Sequence, residues 1–283
     1  MKKPNFFIIG APKCGTTSLA NWLNEHPNTF ITKPKEPFFF DTDIKARYEY
    51  TLEDYEHLYK KATKHHIAIG EASTTYLYSK VAVDNILKYN PLAKFIVLLR
   101  NPVEMVFSLH HQEVFSLNED VKDFKKAWRL QADRLNGKSI PITCNDPQKL
   151  QYKQICQLGT QIEALLKKVF KEQVLILKLE NLKTCPKKTY FMATDFLNLP
   201  RHDIEIYANK NPAKKFKSKF IQTLLLYGIF IRKKVGINRG FGLSKLNMKI
   251  KDRVAPDKRI LIELEECFKE EILKIERLTG IKL

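Results

Sequence analysis

The chain has 283 residues, enough to bury a full hydrophobic core, and its 44% hydrophobic and 28% charged residues are ordinary for a globular protein. Its longest apolar run, Phe220 to Ile231, is shorter than the roughly 18 residues of a membrane-spanning helix, and the apolar run near the amino terminus is too short for a signal peptide. The five cysteines form no C-x-x-C pair, which predicts free thiols in a reducing compartment and argues against a disulfide framework or a zinc site.

Positive charge is concentrated in one part of the sequence. The net charge is +18, and the segment from Lys210 to Arg259 contains 15 Lys and Arg side chains but only two acidic ones. Such a segment attracts phosphates, sulfates, acidic polysaccharides, nucleic acids or anionic membrane surfaces. Charge by itself does not distinguish among these partners.

Short β-branched or aromatic runs alternate with helical patterns, which favours an α/β fold. Predicted strands cover Asn5–Ile9, Ile67–Gly70, Lys94–Leu99 and Gln173–Leu179. Predicted helices cover Thr16–Glu25, Leu52–Ala62, Val81–Lys88, Pro102–Phe115, Asp120–Leu135, Pro147–Phe170, Pro186–Leu197 and Asp257–Leu278. The third and fourth strands are continuous apolar runs, as expected when both faces of a parallel sheet are covered.

These elements predict a P-loop-like three-layer α/β fold, with a central, mostly parallel sheet flanked by helices. No repeat or low-complexity linker interrupts the chain. We therefore predict one domain over residues 1–283, with a core of about 5–200, a basic segment at 211–254 and a final helix at 257–279.

The stretch FFIIGAPKCGTTSL, residues 6–19, is typical of a phosphate-binding loop. Two glycines five positions apart follow a predicted strand, so that backbone N–H groups and a helix N-terminus can approach a phosphate. In loops that bind nucleoside triphosphates a lysine follows the second glycine, whereas here Thr16 stands there and Lys13 lies inside the loop. Further hydroxyl donors, which make magnesium less necessary, come from Thr16, Thr17 and Ser18. The alternative is a tight strand-to-helix turn without a ligand.

Several segments resemble one enzyme family. FFIIGAPKCGTTSLANWLNEHPNTF resembles the 5′-phosphosulfate-binding loop of the sulfotransferases, which use 3′-phosphoadenosine 5′-phosphosulfate (PAPS). ITKPKEPFFFD and GEASTTYLY resemble the heparan-sulfate and bacterial carbohydrate branch more than the cytosolic aryl and steroid branch. KFIVLLRNPVEMVFSLHHQ resembles the family's 3′-phosphate-binding segment, and LQYKQICQLGTQIEALLKKVFKEQVLILKLENL is similar to the helix–strand unit that follows. Together the matches cover about residues 5–200.

The resemblance implies a PAPS-dependent sulfotransferase that needs no metal and releases adenosine 3′,5′-bisphosphate (PAP). The implied acceptor belongs to a carbohydrate or glycolipid, and a hydroxyl is favoured over an amine. Charge that builds on the leaving phosphate requires a cation, and we expect Lys13 to supply it. By resemblance, Glu36 in KEPFFFD matches the catalytic glutamate of the heparan-sulfate branch and is the expected base. The alternative for Glu36 is a surface carboxylate paired with Lys33 or Lys35.

The expected donor-binding residues lie in several segments. Arg100 ends a predicted strand, where open α/β sheets bind ligands, and its guanidinium fork suits the 3′-phosphate, as does Ser108 on the next helix. A structural ion pair is the alternative for Arg100, and a capping or solvated serine for Ser108. Tyr152 is expected near the adenine or at the cleft, with a buried aromatic as the alternative, and Arg239 is a candidate in a basic loop over the 3′-phosphate. The full set of cofactor-binding candidates is Lys13, Cys14, Gly15, Thr16, Thr17, Ser18, Arg100, Ser108, Tyr152 and Arg239.

Other side chains in these segments also suggest roles. Cys14 precedes a helix N-terminus, a setting that lowers a thiol pKa, and we interpret it first as a small loop residue and second as a redox site. Glu71 is a candidate for orienting the acceptor or holding Lys13, although Ala72 stands where many polysaccharide enzymes of the family carry a lysine. His110 is the alternative base, with a structural histidine as the favoured interpretation.

The basic segment 211–254 suits three roles: a groove for an acidic glycan, a peripheral helix on an anionic membrane, and a loop over the nucleotide. A solvated cationic surface is the alternative. Nucleic acid is disfavoured because aromatic residues are not interleaved as stacking platforms. The free thiols favour the cytoplasm as the location, with contact to a membrane surface as an option. The chain is expected to be either a bacterial-type enzyme or a catalytic domain cut from a longer chain, and the first strand close to the initial Met favours the former.

Two other functions remain open at this point. A P-loop kinase-like phosphotransferase is disfavoured because Thr16 replaces its lysine and because the strand KFIVLLR ends in Arg instead of a magnesium-binding Asp. The other is a non-catalytic nucleotide- or anion-binding protein.

Overall fold

The computed structural model describes residues 2–45, 49–205, 207 and 257–283, together with the backbone of 214–216 and 248–250. The chain divides into two compact units. The first contains Met1–Val106, Lys153–Asn211 and Ile262–Leu283, and the second contains Phe107–Tyr152 and Pro212–Leu261. That these units form one domain stays a prediction.

A parallel sheet forms the centre of the first unit. In the described part of the chain its five strands are β1 (Phe6–Gly10), β2 (Thr29–Ile31), β3 (Ala68–Glu71), β4 (Lys94–Leu99) and β5 (Val174–Lys178), in the order β2-β3-β1-β4-β5. Every neighbouring pair runs parallel. The helices of this unit, numbered in chain order, are α1 (Thr16–Asn24), α2 (Leu52–His57), α3 (Ala82–Tyr89), α8 (Leu158–Leu166), α9 (Leu179–Thr184) and α10 (Pro186–Phe196). The predicted α/β fold with a central parallel sheet flanked by helices is confirmed.

Three helices contain residues of both units, and the second unit holds the remaining short elements. These helices are α4 (Pro102–Phe115), α7 (Tyr152–Ile155) and α11 (Lys258–Thr279). The second unit also contains α5 (Phe124–Arg129), α6 (Gln131–Leu135), a 3-10 turn (Pro147–Leu150), and the antiparallel pair β6 (Lys214–Phe216) and β7 (Met248–Ile250). Apart from these two strands, the predicted basic segment lies outside the described residues. Within the described ranges, no helix has the length and apolar character that a membrane crossing requires.

Burial follows strand position in the sheet. All five residues of β1 and the last five of β4 are buried, as the sequence predicted for strands covered on both faces. The same prediction is wrong for β5, which is only half-buried because it forms an edge of the sheet. β2, a three-residue edge strand, carried too short a pattern to be predicted.

The predicted helix Pro147–Phe170 is interrupted into the 3-10 turn, α7 and α8. The Gln161 amide donates to the carbonyl oxygens of Gln154 and Ile155, at 3.1 Å each. A side chain therefore satisfies carbonyl groups that a continuous helix would pair with its own N–H groups.

Candidate functional site

The loop between β1 and α1 lies where the order of the strands reverses. β1 pairs with β3 on one side and with β4 on the other. The Ala11 N–H donates to the Leu98 carbonyl at 2.9 Å, which joins the start of the loop to the end of β4. Open parallel sheets bind ligands in the crevice at the carboxyl ends of strands at such a switch point. The fold therefore places this loop at the expected edge for a ligand.

Gly15 begins α1 in a left-handed conformation, with φ 90°. A Cβ atom there would lie 2.8 Å from Leu179 Cδ1 and 3.3 Å from Leu182 Cδ2. Among the described residues no side chain caps α1, and the first turn of this helix has no acidic residue. Because first-turn N–H groups such as those of Thr16 and Thr17 lack intrahelical acceptors, this helix end is suited to an anion.

Replacing Gly15 by alanine is expected to abolish binding of PAP and to lower stability by about 2 kcal/mol, because the left-handed backbone and the contact with Leu179 both resist a Cβ atom. Gly280→Ala is the matched control, since Gly280 has φ 71° and, in the part of the chain that the structure describes, an added Cβ would meet no atom within 4 Å. Calorimetric titration with PAP and urea unfolding measure the two effects. Equal losses of PAP affinity and of stability in both variants would show that the close packing around Gly15 contributes to neither.

Two cations and a thiol lie together at this edge. Lys13 is half-buried within the loop at φ 65°, and the Arg100 side chain directly after β4 is 12% exposed. The positive charges of both act on the Cys14 thiol. The Arg100 guanidinium also pairs with the Glu104 carboxylate, with Nε and one terminal nitrogen 3.1 and 2.8 Å from Oε2. The structural ion pair considered as the alternative for Arg100 is thus present.

Cys14 does not have the activated thiol that its position in the sequence predicted. Its side chain is fully buried, with Sγ donating to the Pro12 carbonyl at 3.4 Å and lying 3.8 Å from Met105 Sδ. Burial raises the pKa of the Cys14 thiol to about 12 and outweighs the opposing effects of Arg100 and Lys13. The predicted lowering of its pKa is therefore wrong, because desolvation of the thiol outweighs the nearby positive charges.

Glu36 lies in the loop of residues 35–41, which we call the Glu36 loop. Its side chain is 28% exposed, and Oε1 accepts from Lys35 Nζ at 2.6 Å. The same ammonium donates to the Ala72 carbonyl at 3.0 Å. The pairing considered as the alternative for Glu36 is therefore present, and its role as a base stays a prediction.

A family model described as a sulfotransferase domain matches residues 3–247. This chain belongs to the sulfotransferase family. It is 30% identical over 250 residues to carbohydrate sulfotransferase 15 of Mus musculus, with 69% of this chain and 44% of that protein covered. It is 24% identical over 222 residues to the bifunctional heparan sulfate N-deacetylase/N-sulfotransferase 1 of Caenorhabditis briggsae, with coverages of 77% and 25%. The chain thus spans less than half the length of these curated relatives.

A solved structure agrees with the fold over the whole chain. The sulfotransferase from Alicyclobacillus acidocaldarius superposes with a TM-score of 0.75 at 21% identity, covering 100% of this chain and 98% of that chain. The carbohydrate and heparan sulfate relatives confirm the resemblance to the heparan-sulfate-type carbohydrate sulfotransferases, and the solved structure confirms the fold.

Glu71 does not enter a cleft in this sulfotransferase. It is fully buried at the end of β3, and its carboxylate accepts hydrogen bonds from the hydroxyls of Tyr55, Ser73 and Tyr76. The prediction that it orients the acceptor or holds Lys13 is wrong, because both carboxylate oxygens are enclosed by these hydroxyls. Burial raises the pKa of Glu71 from 4.5 to about 7, against the opposing effect of the hydrogen bonds.

The raised pKa of Glu71 predicts a pH-dependent stability. Its folded-state pKa is about 7 and its ordinary value 4.5, so this contribution is fully present below pH 4.5 and is lost as the pH rises through 7. We expect the free energy of unfolding, measured in urea relative to Glu71→Gln, to fall by about 3 kcal/mol between pH 4.5 and pH 8. A difference between the two proteins that does not change with pH would contradict a raised pKa.

Of the remaining candidate residues, two are buried side chains with structural contacts, and the roles of the other two stay predictions. Tyr152 is fully buried and its hydroxyl donates to Glu119 Oε2 at 2.7 Å, so the structure gives it the alternative position of a buried aromatic. Ser108 is half-buried on α4, and its contact with the 3′-phosphate stays a prediction. Arg239 lies outside the described residues. His110 is buried with Nε2 2.9 Å from the Val121 carbonyl oxygen, as expected for a structural histidine.

Sequence reasoning missed one acidic residue at this edge of the sheet. Glu180 lies in the first turn of α9, directly after β5, and its charge acts on the Cys14 thiol of the loop. Its Oε2 atom is buried, and within the described ranges it has no hydrogen-bond partner. The available signal was its position at the end of a predicted strand, where parallel sheets collect functional side chains.

Proposed function

We propose that this protein transfers the sulfuryl group of PAPS to a hydroxyl, or less favoured an amine, of a carbohydrate or glycolipid, and releases PAP without a metal. The observation that carries the proposal is the loop after β1, where an uncapped helix N-terminus, Lys13 and Arg100 occur at one edge of the sheet. The membership in the sulfotransferase family and the carbohydrate acceptors in the names of its relatives support the same chemistry.

The residues of the loop fit the 5′-phosphosulfate of the donor. Backbone N–H groups of Gly15 and of the first turn of α1 bind the phosphate, and the hydroxyls of Thr16, Thr17 and Ser18 add donors. The Lys13 ammonium stabilises the charge that develops on the oxygen between sulfur and the 5′-phosphate as that bond breaks. The buried thiol leaves Cys14 only its backbone for this purpose.

Arg100 binds the 3′-phosphate in this proposal. Its guanidinium already holds one carboxylate oxygen of Glu104 through two nitrogens, and the same two nitrogens can donate to two oxygens of a phosphate. The Glu104 side chain is 57% exposed, so a doubly charged phosphate can displace it at little cost. Ser108 and Arg239 are the further proposed contacts of the 3′-phosphate, whereas the buried Tyr152 is no longer part of the proposed site.

Glu36 takes the proton of the acceptor as the oxygen attacks sulfur in line. Its partial exposure leaves room for an acceptor, and Lys35 fixes one of its carboxylate oxygens. The other oxygen is the proposed proton acceptor.

The remaining proposals concern location and partners. We propose a cytoplasmic enzyme, with the basic segment 211–254 contacting acidic glycan, nucleotide or an anionic membrane surface. A magnesium-dependent phosphotransferase is disfavoured because Thr16 stands where its lysine would be. A binding protein without turnover would bind PAP but form no sulfated product.

Thermal unfolding with PAP, ADP and ATP–magnesium tests the donor site. A ligand at 100 times its dissociation constant adds about 2.7 kcal/mol, so PAP is expected to raise the melting temperature clearly more than ADP. Arg100→Ala should reduce the shift with PAP to about that seen with ADP, because ADP has no 3′-phosphate for Arg100 to bind and carries its second phosphate at the 5′ position. Arg277→Ala, an exposed position on α11, is the control and should keep the wild-type difference. A shift with ATP–magnesium alone would instead support the phosphotransferase.

A further inference from the structure

We propose that Glu71 is a positioning residue that holds the Glu36 loop in place through the hydroxyls of Ser73 and Tyr76. The inference rests on the proposed function, because Glu71 affects catalysis only by positioning Glu36, the proposed base. Glu71 itself touches no reacting group.

Backbone N–H groups of the Glu36 loop donate to two buried hydroxyl oxygens. The Phe38 N–H donates to Ser73 Oγ at 3.1 Å. The N–H groups of Phe39 and Phe40 donate to the Tyr76 hydroxyl at 2.9 and 3.3 Å. The three residues that follow Glu36 and Pro37 are thus tied to the segment after β3.

These donors fix the direction of the next hydrogen bonds. A backbone N–H can only donate, so the hydroxyl protons of Ser73 and Tyr76 are available for Glu71, at 2.6 Å for Ser73 and 3.2 Å to each oxygen for Tyr76. Tyr55 completes the set by donating to Glu71 at 2.7 Å while its oxygen accepts from Tyr59 at 3.0 Å. All three chains of hydrogen bonds therefore end at one carboxylate.

A carboxylate is the side chain suited to this end point. In its ionised form, which predominates above its pKa of about 7, it accepts on two oxygens and donates nothing, whereas an amide of the same shape accepts on one and presents donors on the other side. Glu71, Ser73 and Tyr76 are fully buried, so water does not replace a lost acceptor. Removing the carboxylate is therefore expected to release at least one hydroxyl from its loop contact.

The loop needs such support because its backbone is unfavourable. Phe38 has φ 53°, a left-handed conformation that bulky residues rarely adopt. The segment that supplies the hydroxyls also borders the phosphate loop, since the Leu77 N–H donates to the Ile9 carbonyl at 2.9 Å. One buried cluster thus connects the loop of the proposed base with the strand that leads to the proposed donor site.

Hydrogen exchange tests the positioning without any ligand. Ser73→Ala and Tyr76→Phe each remove one hydroxyl link, and the amides of residues 38–40 are expected to exchange about tenfold faster in both. Tyr55→Phe is the matched control, because it removes a hydrogen bond to the same carboxylate but none to the loop backbone. Unchanged exchange in Ser73→Ala and Tyr76→Phe would overturn the inference.

Turnover measurements distinguish a failure of this inference from a failure of the proposed function. The assay follows PAP formation from PAPS, with desulfated heparan sulfate as the acceptor. We expect kcat to be lowered about tenfold or more in Ser73→Ala, Tyr76→Phe and Glu71→Gln, while the affinity for PAP stays at the wild-type value. In a Glu36→Gln background the same changes should have little further effect. An equal further loss there would show that Glu71 does not act through Glu36. Wild-type turnover of Glu36→Gln alone would instead refute the proposed base, and the inference with it.

Discussion

Replacing Lys13 by alanine is expected to lower kcat for sulfuryl transfer by about 10³-fold, the largest expected effect on the chemical step. Lys13 lies inside the loop between β1 and α1, where its positive charge acts on Cys14 together with that of Arg100. In the proposed reaction this charge stabilises the leaving phosphate, which gains negative charge only as the bond to sulfur breaks. The loss should therefore appear in kcat more than in the affinity for PAP.

Steady-state PAP formation from PAPS, with desulfated heparan sulfate as acceptor, measures the effect. Lys61→Ala is the control, since Lys61 is an exposed lysine of the same unit and lies outside the proposed site. Lys13→Arg should recover part of the activity because it restores the charge in a different shape. A Lys13→Ala protein with wild-type kcat would refute the proposed role of the loop in catalysis.

Replacing Arg134 by methionine is expected to lower the free energy of unfolding by about 3–5 kcal/mol, the largest effect on stability. The side chains of Arg134 and Glu119 are both 0% exposed. Two guanidinium nitrogens donate to the two Glu119 oxygens at 2.7 and 2.8 Å, and the Tyr152 hydroxyl donates to Oε2 at 2.7 Å. Without the guanidinium, a carboxylate would remain buried with its charge uncompensated.

Urea unfolding measures this loss, and a double variant identifies its cause. Glu119→Leu combined with Arg134→Met removes both charges, so it should be less destabilised than Arg134→Met alone. A double variant that is less stable than the single one would mean that lost packing, and not the isolated charge, causes the effect.

Some structural elements could be predicted from local sequence patterns. β4 and α4 have the predicted bounds, because a continuous apolar run specifies a buried parallel strand and the Asn101–Pro102 pair specifies a helix start. The spacing of the two glycines also predicted the position of the phosphate loop between β1 and α1. A local pattern is sufficient here because only glycine tolerates the left-handed backbone and close packing found at Gly15. Family resemblance added the expected roles of Lys13, Glu36 and Arg100.

The tertiary structure alone decided the environment of each polar side chain. Glu71 and Tyr152 looked accessible because they stand next to motifs, yet the fold brings Tyr55 onto Glu71 and Glu119 onto Tyr152, and both side chains are buried. Cys14 was expected to be activated by the helix end, but burial dominates its pKa. The physical reason is common to all three: hydrogen-bond partners and desolvation depend on contacts between distant segments, whereas backbone propensity and apolar periodicity are properties of neighbouring residues.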